Sequence, residues 1–134
     1  MASLYLLDTN MVIYIQRGVP RVLQRLKELG RQRVALPALV VAELAYGVEK
    51  STQQARNRKR LEEFLIEMNV LPWTHKAMWH YGRHFHALRS SGQSIGHMDL
   101  LIAAQALAED ATLVTNNTRE FERIKDLRLE NWVD

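Results

Sequence analysis

Cysteine is absent from all 134 residues. That single absence excludes a disulfide scaffold, a thiolate zinc site and a cysteine nucleophile. Long apolar runs are missing as well. The longest strongly apolar, uncharged stretch is Val34–Ala42, too short for a membrane span. The amino end has no basic segment, and Asp8 interrupts its apolar run, so no secretory leader is expected and the chain is expected to act in the cytoplasm. Without export, the sequon-like Asn116-Asn117-Thr118 is a coincidence. No repeat, low-complexity tract or linker interrupts the chain, so one domain over residues 1–134 is expected.

What is present is ordinary globular composition, 47% hydrophobic and 25% charged, with a formal net charge of +3. The charge is unevenly spread. Arg17, Arg21, Arg25, Lys27, Arg31 and Arg33 face a single acid, Glu28, and Lys50 to Arg60 contains five basic residues and no acid. Such runs are either the solvated faces of helices or a track for a polyanion.

Short apolar runs alternate with helical patterns. Strands are expected at Ser3–Leu7, Arg33–Leu36, Val70–Leu71, Ala111–Thr115 and Arg128–Trp132. Helices are expected at Met11–Gln16, from Pro20 to Gly30, over Ala38–Val48, from a Thr52 cap to about Met68, after a Thr74 cap, and over Asp99–Glu109. The helix after Thr74 is expected to bury Ala77, Met78, Tyr81, Phe85 and Leu88. This alternation predicts an α/β fold, a central parallel sheet of about five strands flanked by helices.

Three acids stand inside apolar surroundings: Asp8 after Leu4-Tyr5-Leu6-Leu7, Glu43 within Val40-Val41-Ala42-Glu43-Leu44-Ala45-Tyr46, and Asp99 before Leu100-Leu101-Ile102-Ala103-Ala104. No Lys or Arg lies within six residues of any of them. A buried carboxylate without a partner costs several kcal/mol, so three require separate cationic partners or one shared cation. Each also has a plainer reading: Asp8 and Asp99 as helix caps, Glu43 as an outward-facing acid. Oxygen donors without cysteine favour Mg²⁺ or Mn²⁺, and such ions serve phosphate chemistry. Ligands of a parallel α/β sheet bind beyond the carboxyl ends of its strands, and Asp8 follows such a strand.

Four blocks then resemble one family in order: Leu7-Asp8-Thr9-Asn10; Glu43-Leu44-Ala45-Tyr46-Gly47-Val48-Glu49-Lys50-Ser51; Ile95-Gly96-His97-Met98-Asp99-Leu100-Leu101-Ile102-Ala103-Ala104; and Val114-Thr115-Asn116-Asn117-Thr118-Arg119-Glu120-Phe121. Together they resemble the VapC-type PIN-domain toxins over almost the whole chain. The resemblance implies a PIN-like fold and a metal-dependent endoribonuclease, the toxin of a bacterial type II toxin–antitoxin pair. It implies Asp8, Glu43 and Asp99 as catalytic metal-site residues, with Mg²⁺ as cofactor and Mn²⁺ able to substitute. Many PIN domains carry an Asp where this chain has Asn117, so either Glu120 completes the acids or Asn117 holds a metal-associated water. Thr9, Asn10 and Thr115 are expected to orient carboxylates and waters, or else simply to cap and end elements. The implied partners are a VapB-type antitoxin, RNA (tRNA, with the initiator anticodon stem-loop leading) and a second copy of the chain, assembled into a toxin–antitoxin hetero-oligomer. Arg17, Arg21, Arg25, Lys50 and His97 are candidate RNA contacts.

Other chemistries fit less well. His80 and His84 share a helical face and could bind zinc or exchange protons, but no Glu lies between them as a His-Glu-x-x-His site requires. Otherwise they mark an exposed face or a partner contact. Trp73, Trp79 and Trp132 read as core or interface anchors rather than base-stacking platforms. A phosphoacceptor receiver would need an acidic pair where Asp8 stands alone, and a haloacid-dehalogenase-type phosphatase would need an Asp where Asn10 stands. A catalytically silent RNA- or partner-binding module remains the alternative, with Asn117 as its mark.

Overall fold

Strand β1 (Tyr5–Leu7) is the centre of a five-stranded parallel sheet in the order β3-β2-β1-β4-β5. The structure is a computed structural model and describes residues 3–134. After β1 come α1 (Thr9–Gln16) and α2 (Pro20–Leu29), a 3-10 turn (Arg31–Arg33), β2 (Val34–Pro37), α3 (Ala38–Glu49) and α4 (Gln54–Ile66). Then follow β3 (Asn69–Leu71), α5 (His75–Ser90), α6 (His97–Ala108), β4 (Thr112–Val114), α7 (Thr118–Phe121) and β5 (Arg128–Glu130). Every strand pair is parallel, as the continuous rather than alternating apolar runs require.

The sheet grows outward from β1 to β2 and β3, then returns past β1 to β4 and β5. The strand order therefore reverses between β1 and β4. There the connections leave in opposite directions and open a crevice beyond the strand ends. In register, Leu7 pairs with Val114, so the next residues on each strand, Asp8 and Thr115, lie side by side at that crevice.

The core explains why these elements pack. Leu6, Leu7, Val34, Leu36, Leu113 and Val114 are fully buried. Helix α6 buries Ala103, Ala104 and Ala106, small side chains that permit the close approach of α5. Gln105, also fully buried, donates to the carbonyls of Leu71 (2.8 Å) and Pro72 (3.0 Å) and ties α6 to the end of β3.

Several boundaries differ from the sequence expectation. Helix α1 begins at Thr9 because Asp8 occupies its N-cap and accepts from the Thr9 amide. Helix α4 begins at Gln54 without a side-chain cap, so Thr52 does not start it, and α6 begins at His97, leaving Asp99 in its first turn. Thr74 caps α5 as expected, accepting from the Ala77 amide. Met78 is 41% exposed rather than buried, because the α5 stripe is narrower than its hydrophobic residues suggest: Ala77 and Leu88 are buried, Tyr81 and Phe85 half-buried. Trp132 is a core residue, Trp73 donates to the Leu101 carbonyl at 2.9 Å, and Trp79 is 63% exposed, which removes it from the core.

Candidate active site

Asp8 sits at the crevice with both oxygens engaged and 8% of its surface exposed. Its amide extends the sheet by donating to the Val114 carbonyl at 2.9 Å. One carboxyl oxygen accepts from the Thr9 amide at 2.7 Å, the other from the Thr115 hydroxyl at 2.9 Å. Burial pushes this carboxyl above the usual carboxylate range. The Thr115 and Thr9 hydrogen bonds oppose the rise, and the charges of Glu43 and Glu120 add to it. Asp8 is thus a helix cap and a member of an acidic group at once.

Glu43 reaches the same place from α3. Its Oε1 accepts from the Thr9 hydroxyl at 2.7 Å, across 34 positions of sequence. Thr9 therefore holds Asp8 through its amide and Glu43 through its side chain. Asp99, from the first turn of α6, is pushed up to about 7, first by burial, then by the charges of Asp8, Glu120 and Glu43. A hydrogen bond with Glu120 further favours its protonated form.

Glu120 and Asn117 act together rather than as alternatives. The Asn117 side-chain amide donates to Glu120 Oε2 at 2.8 Å, and the Gly96 amide donates to Oε1 at 3.2 Å. The Asn117 backbone amide in turn donates to the Thr115 hydroxyl at 3.0 Å, linking it back to Asp8. Glu120 is half-buried in this network, not a solvated first-turn acid. Asn10 is exposed, one position beyond Thr9.

Among the described residues, none of the four acids is in an ion pair; the five pairs present lie elsewhere. As placed, no three His, Asp or Glu side chains among the described residues converge tightly enough to enclose an ion, whether at these acids or around His80 and His84. The raised carboxyl groups reflect burial first and the charges of the neighbouring acids second. Their all-oxygen chemistry fits a hard divalent cation, and mutual repulsion is the force such a cation would relieve.

Two of the acids, Glu43 and Glu120, each open onto a groove. One, of about 830 Å³, is lined by Thr9, Glu43, Arg17, Lys50, Arg60 and the exposed Tyr46. The other, of about 620 Å³, is lined by Ser94, Gly96, Asn117, Arg119, Glu120 and Arg123. Of the candidate RNA contacts, Arg17 and Lys50 face the first groove. Arg21 and Arg25 do not. Arg21 donates to the Val133 carbonyl, and Arg25 pairs with Glu130 at 2.9 Å beside the carboxyl-terminal segment. His97 shares a 2.9 Å hydrogen bond with the Tyr81 hydroxyl and stands edge-on to Phe85 at 5.1 Å, so it packs on α5. The histidine pair stacks at 6.4 Å, and burial lowers the pKa of each ring. Arg60 lines the first groove and Arg119 and Arg123 the second, and the sequence singled out none of the three individually. The only sequence sign of Arg119 and Arg123 is adjacency to Glu120.

The PIN-domain family model matches residues 5–127. The chain belongs to the PIN-domain family. Within that family it is similar to Ribonuclease VapC2 of Rickettsia felis, 41% identical over 131 residues that cover 96% of this chain and 98% of the relative. It is also similar to the tRNA(fMet)-specific endonuclease VapC of Shigella flexneri, 34% identical over 96% of this chain and 97% of that one. Among solved structures, the VapBC2 complex of Rickettsia felis bound to a promoter DNA fragment matches with a TM-score of 0.90 at 40% identity, covering 96% of this chain and 98% of the other. The four acids come from four separate places in this PIN domain: the residue after β1, then α3, α6 and α7.

Within this PIN domain, Thr115 is the side-chain donor on which the buried Asp8 carboxylate depends. Thr115→Val keeps its shape and removes its hydroxyl. The variant is expected to lose about 1–3 kcal/mol of stability at neutral pH, the cost of leaving a buried acceptor unsatisfied. Urea denaturation measures it; an unchanged midpoint would show that Asp8 is solvated in another way.

Proposed function

We propose that this chain is the toxin of a type II toxin–antitoxin pair, a single nuclease domain over residues 1–134 that hydrolyses RNA phosphodiester bonds and thereby stops translation and growth. Mg²⁺ is the proposed ion, with Mn²⁺ able to substitute. The observation that carries this reading is that Asp8, Glu43, Asp99 and Glu120 lie within electrostatic reach of one another at the strand-order reversal, with none of them in an ion pair among the described residues. Bound there, a divalent ion supplies charge neutralisation and Lewis acidity for phosphoryl chemistry.

The protein's own residues do the positioning. Asp8, Glu43 and Asp99, with Glu120, would hold the ion. Thr9 and Thr115 fix Asp8 and Glu43 in acceptor geometry, while Asn117 and the Gly96 amide fix Glu120. Arg17 and Lys50 bring phosphates toward acids that would otherwise repel them. A water oxygen bonds to phosphorus as the bond to the 3′ oxygen breaks, and the proton goes to that leaving oxygen. The products carry 5′-phosphate and 3′-hydroxyl ends. The name of the Shigella flexneri relative supports initiator tRNA as substrate, the anticodon stem-loop being the proposed cleavage site, and the VapBC2 complex supports a VapB-type antitoxin as partner. A homodimer in the cytoplasm, joined with antitoxin into a hetero-oligomer, completes the proposal. The position of Glu120 argues against a silent binding module, since the acid replacing the family's Asp does reach Asp99.

Incubating the purified, antitoxin-free chain with bulk tRNA, followed by end mapping, tests this reading. Discrete cuts with 5′-phosphate ends are expected in Mg²⁺ or Mn²⁺, and none in EDTA. Products with 2′,3′-cyclic phosphate would overturn the mechanism. Absence of any cut with either metal would overturn the function.

A further inference from the structure

A strand of RNA lying over four carboxylates needs cations on both sides of them. The α1–α3–α4 groove offers Arg17, Lys50 and Arg60 on the Glu43 side. On the Glu120 side, the groove beside α7 carries Arg119 and Arg123, both exposed and, among the described residues, in no ion pair. Arg25, Arg31, Arg58 and Arg128 are, by contrast, each paired with an acid. Arg119 lies on α7, which the fully buried Phe121 anchors to the core, and Arg123 follows two residues after that anchor. Arg123 also donates to the Ser94 carbonyl, which closes one wall of the groove.

Gly96 joins this groove to the acids. Its backbone has φ −59° and ψ 143°, open to any residue, so conformation does not demand glycine there. A Cβ at this position would meet only Asp99 Oδ2, at 3.8 Å. Gly96, which lines the Arg119–Arg123 groove, thus places that groove within van der Waals reach of Asp99.

We propose that Arg119 and Arg123 hold the RNA backbone on the Glu120 side of the carboxylates, while Arg17, Lys50 and Arg60 hold it on the Glu43 side, so that the strand crosses the acidic centre from one groove to the other. The proposal rests on the endoribonuclease reading and adds the strand's path and two positioning residues.

The test measures bulk tRNA binding against salt concentration in an Asp99→Asn background, which binds without cutting. Arg119→Ala with Arg123→Ala should flatten the logarithmic salt slope by about 1.4, since each phosphate contact on a single strand contributes about 0.7. Arg119→Ala alone, which breaks no side-chain hydrogen bond or ion pair among the described residues, should give half of that. In the cutting protein, the double variant should raise KM at least tenfold with kcat little changed. Arg31→Ala with Arg128→Ala, at surface pairs with Glu67 and Asp110, is the charge-matched control. If the double variant matches that control while the parent protein still cuts, the proposal fails and the ribonuclease reading stands. If the parent neither binds nor cuts tRNA, both fail. A variant that loses the antitoxin but keeps its RNA slope would assign the groove to protein and overturn the proposal.

Discussion

Asp99→Asn is expected to reduce RNA cleavage by about a thousandfold or more, equivalent to about 4 kcal/mol of transition-state stabilisation. The substitution is nearly isosteric. It removes one negative charge from a group in which Asp8, Glu43 and Glu120 already repel the Asp99 carboxylate. The metal-free variant should therefore fold as well as the parent or better, so lost activity cannot be ascribed to lost structure. The same charge is what holds a divalent ion. Mn²⁺ binding, read by the relaxation of solvent water, should weaken by a large factor in step with cleavage. Growth arrest on expression should disappear as well. Retention of cleavage within tenfold of the parent would remove Asp99 from the chemistry. Loss of cleavage with unchanged Mn²⁺ binding would move it from metal holding to another role.

The position of Asp99 was legible in the sequence because an ionised side chain directly before Leu100-Leu101-Ile102-Ala103-Ala104 conflicts with burial. Asp8 and Glu43 were legible on the same ground, and the parallel sheet followed from short apolar runs separated by helical patterns. What joins the acids was not legible. The Thr9–Glu43 hydrogen bond spans 34 positions and the Thr115–Asp8 bond spans 107, and no local pattern encodes either. The arginine spacing misled for a definite reason. Arg17, Arg21 and Arg25 recur every four residues, as if on one helix face. Gly18, at φ 75°, turns the chain between α1 and α2. Arg17 is left at the end of α1 facing the groove, while Arg21 and Arg25 ride α2 to the carboxyl-terminal segment. Asn117 and Glu120 posed a choice in sequence because spacing alone cannot show that one donates to the other.

The metal-free protein should be markedly more stable at mildly acidic than at mildly alkaline pH, and Mg²⁺ should erase most of the difference. Asp8 and Asp99 both hold their protons more tightly in the folded chain than in the unfolded one. Over that range the folded state binds more protons, so stability falls as pH rises. For Asp99 the loss begins above its unfolded value of 3.8 and is complete once pH passes about 7. The full shift corresponds to about 4 kcal/mol, but the carboxyl is only half-buried, and solvent screening reduces the expected loss to about 1–2 kcal/mol. His80 and His84 oppose the trend. Burial lowers their pKa values, so they destabilise the fold as pH falls below the unfolded imidazole value. The decisive measurement is therefore the difference in melting temperature between the parent and Asp99→Asn, both in chelator, at pH 5 and pH 8. The histidine contribution cancels in that difference. The variant should be the more stable of the two at pH 8, and its advantage should shrink or vanish at pH 5. Mg²⁺ should raise the parent's melting temperature more at pH 8 than at pH 5, because protons and the cation compensate the same charge. A pH-independent difference, or a Mg²⁺ effect equal at both pH values, would show that these carboxylates do not share one unneutralised site.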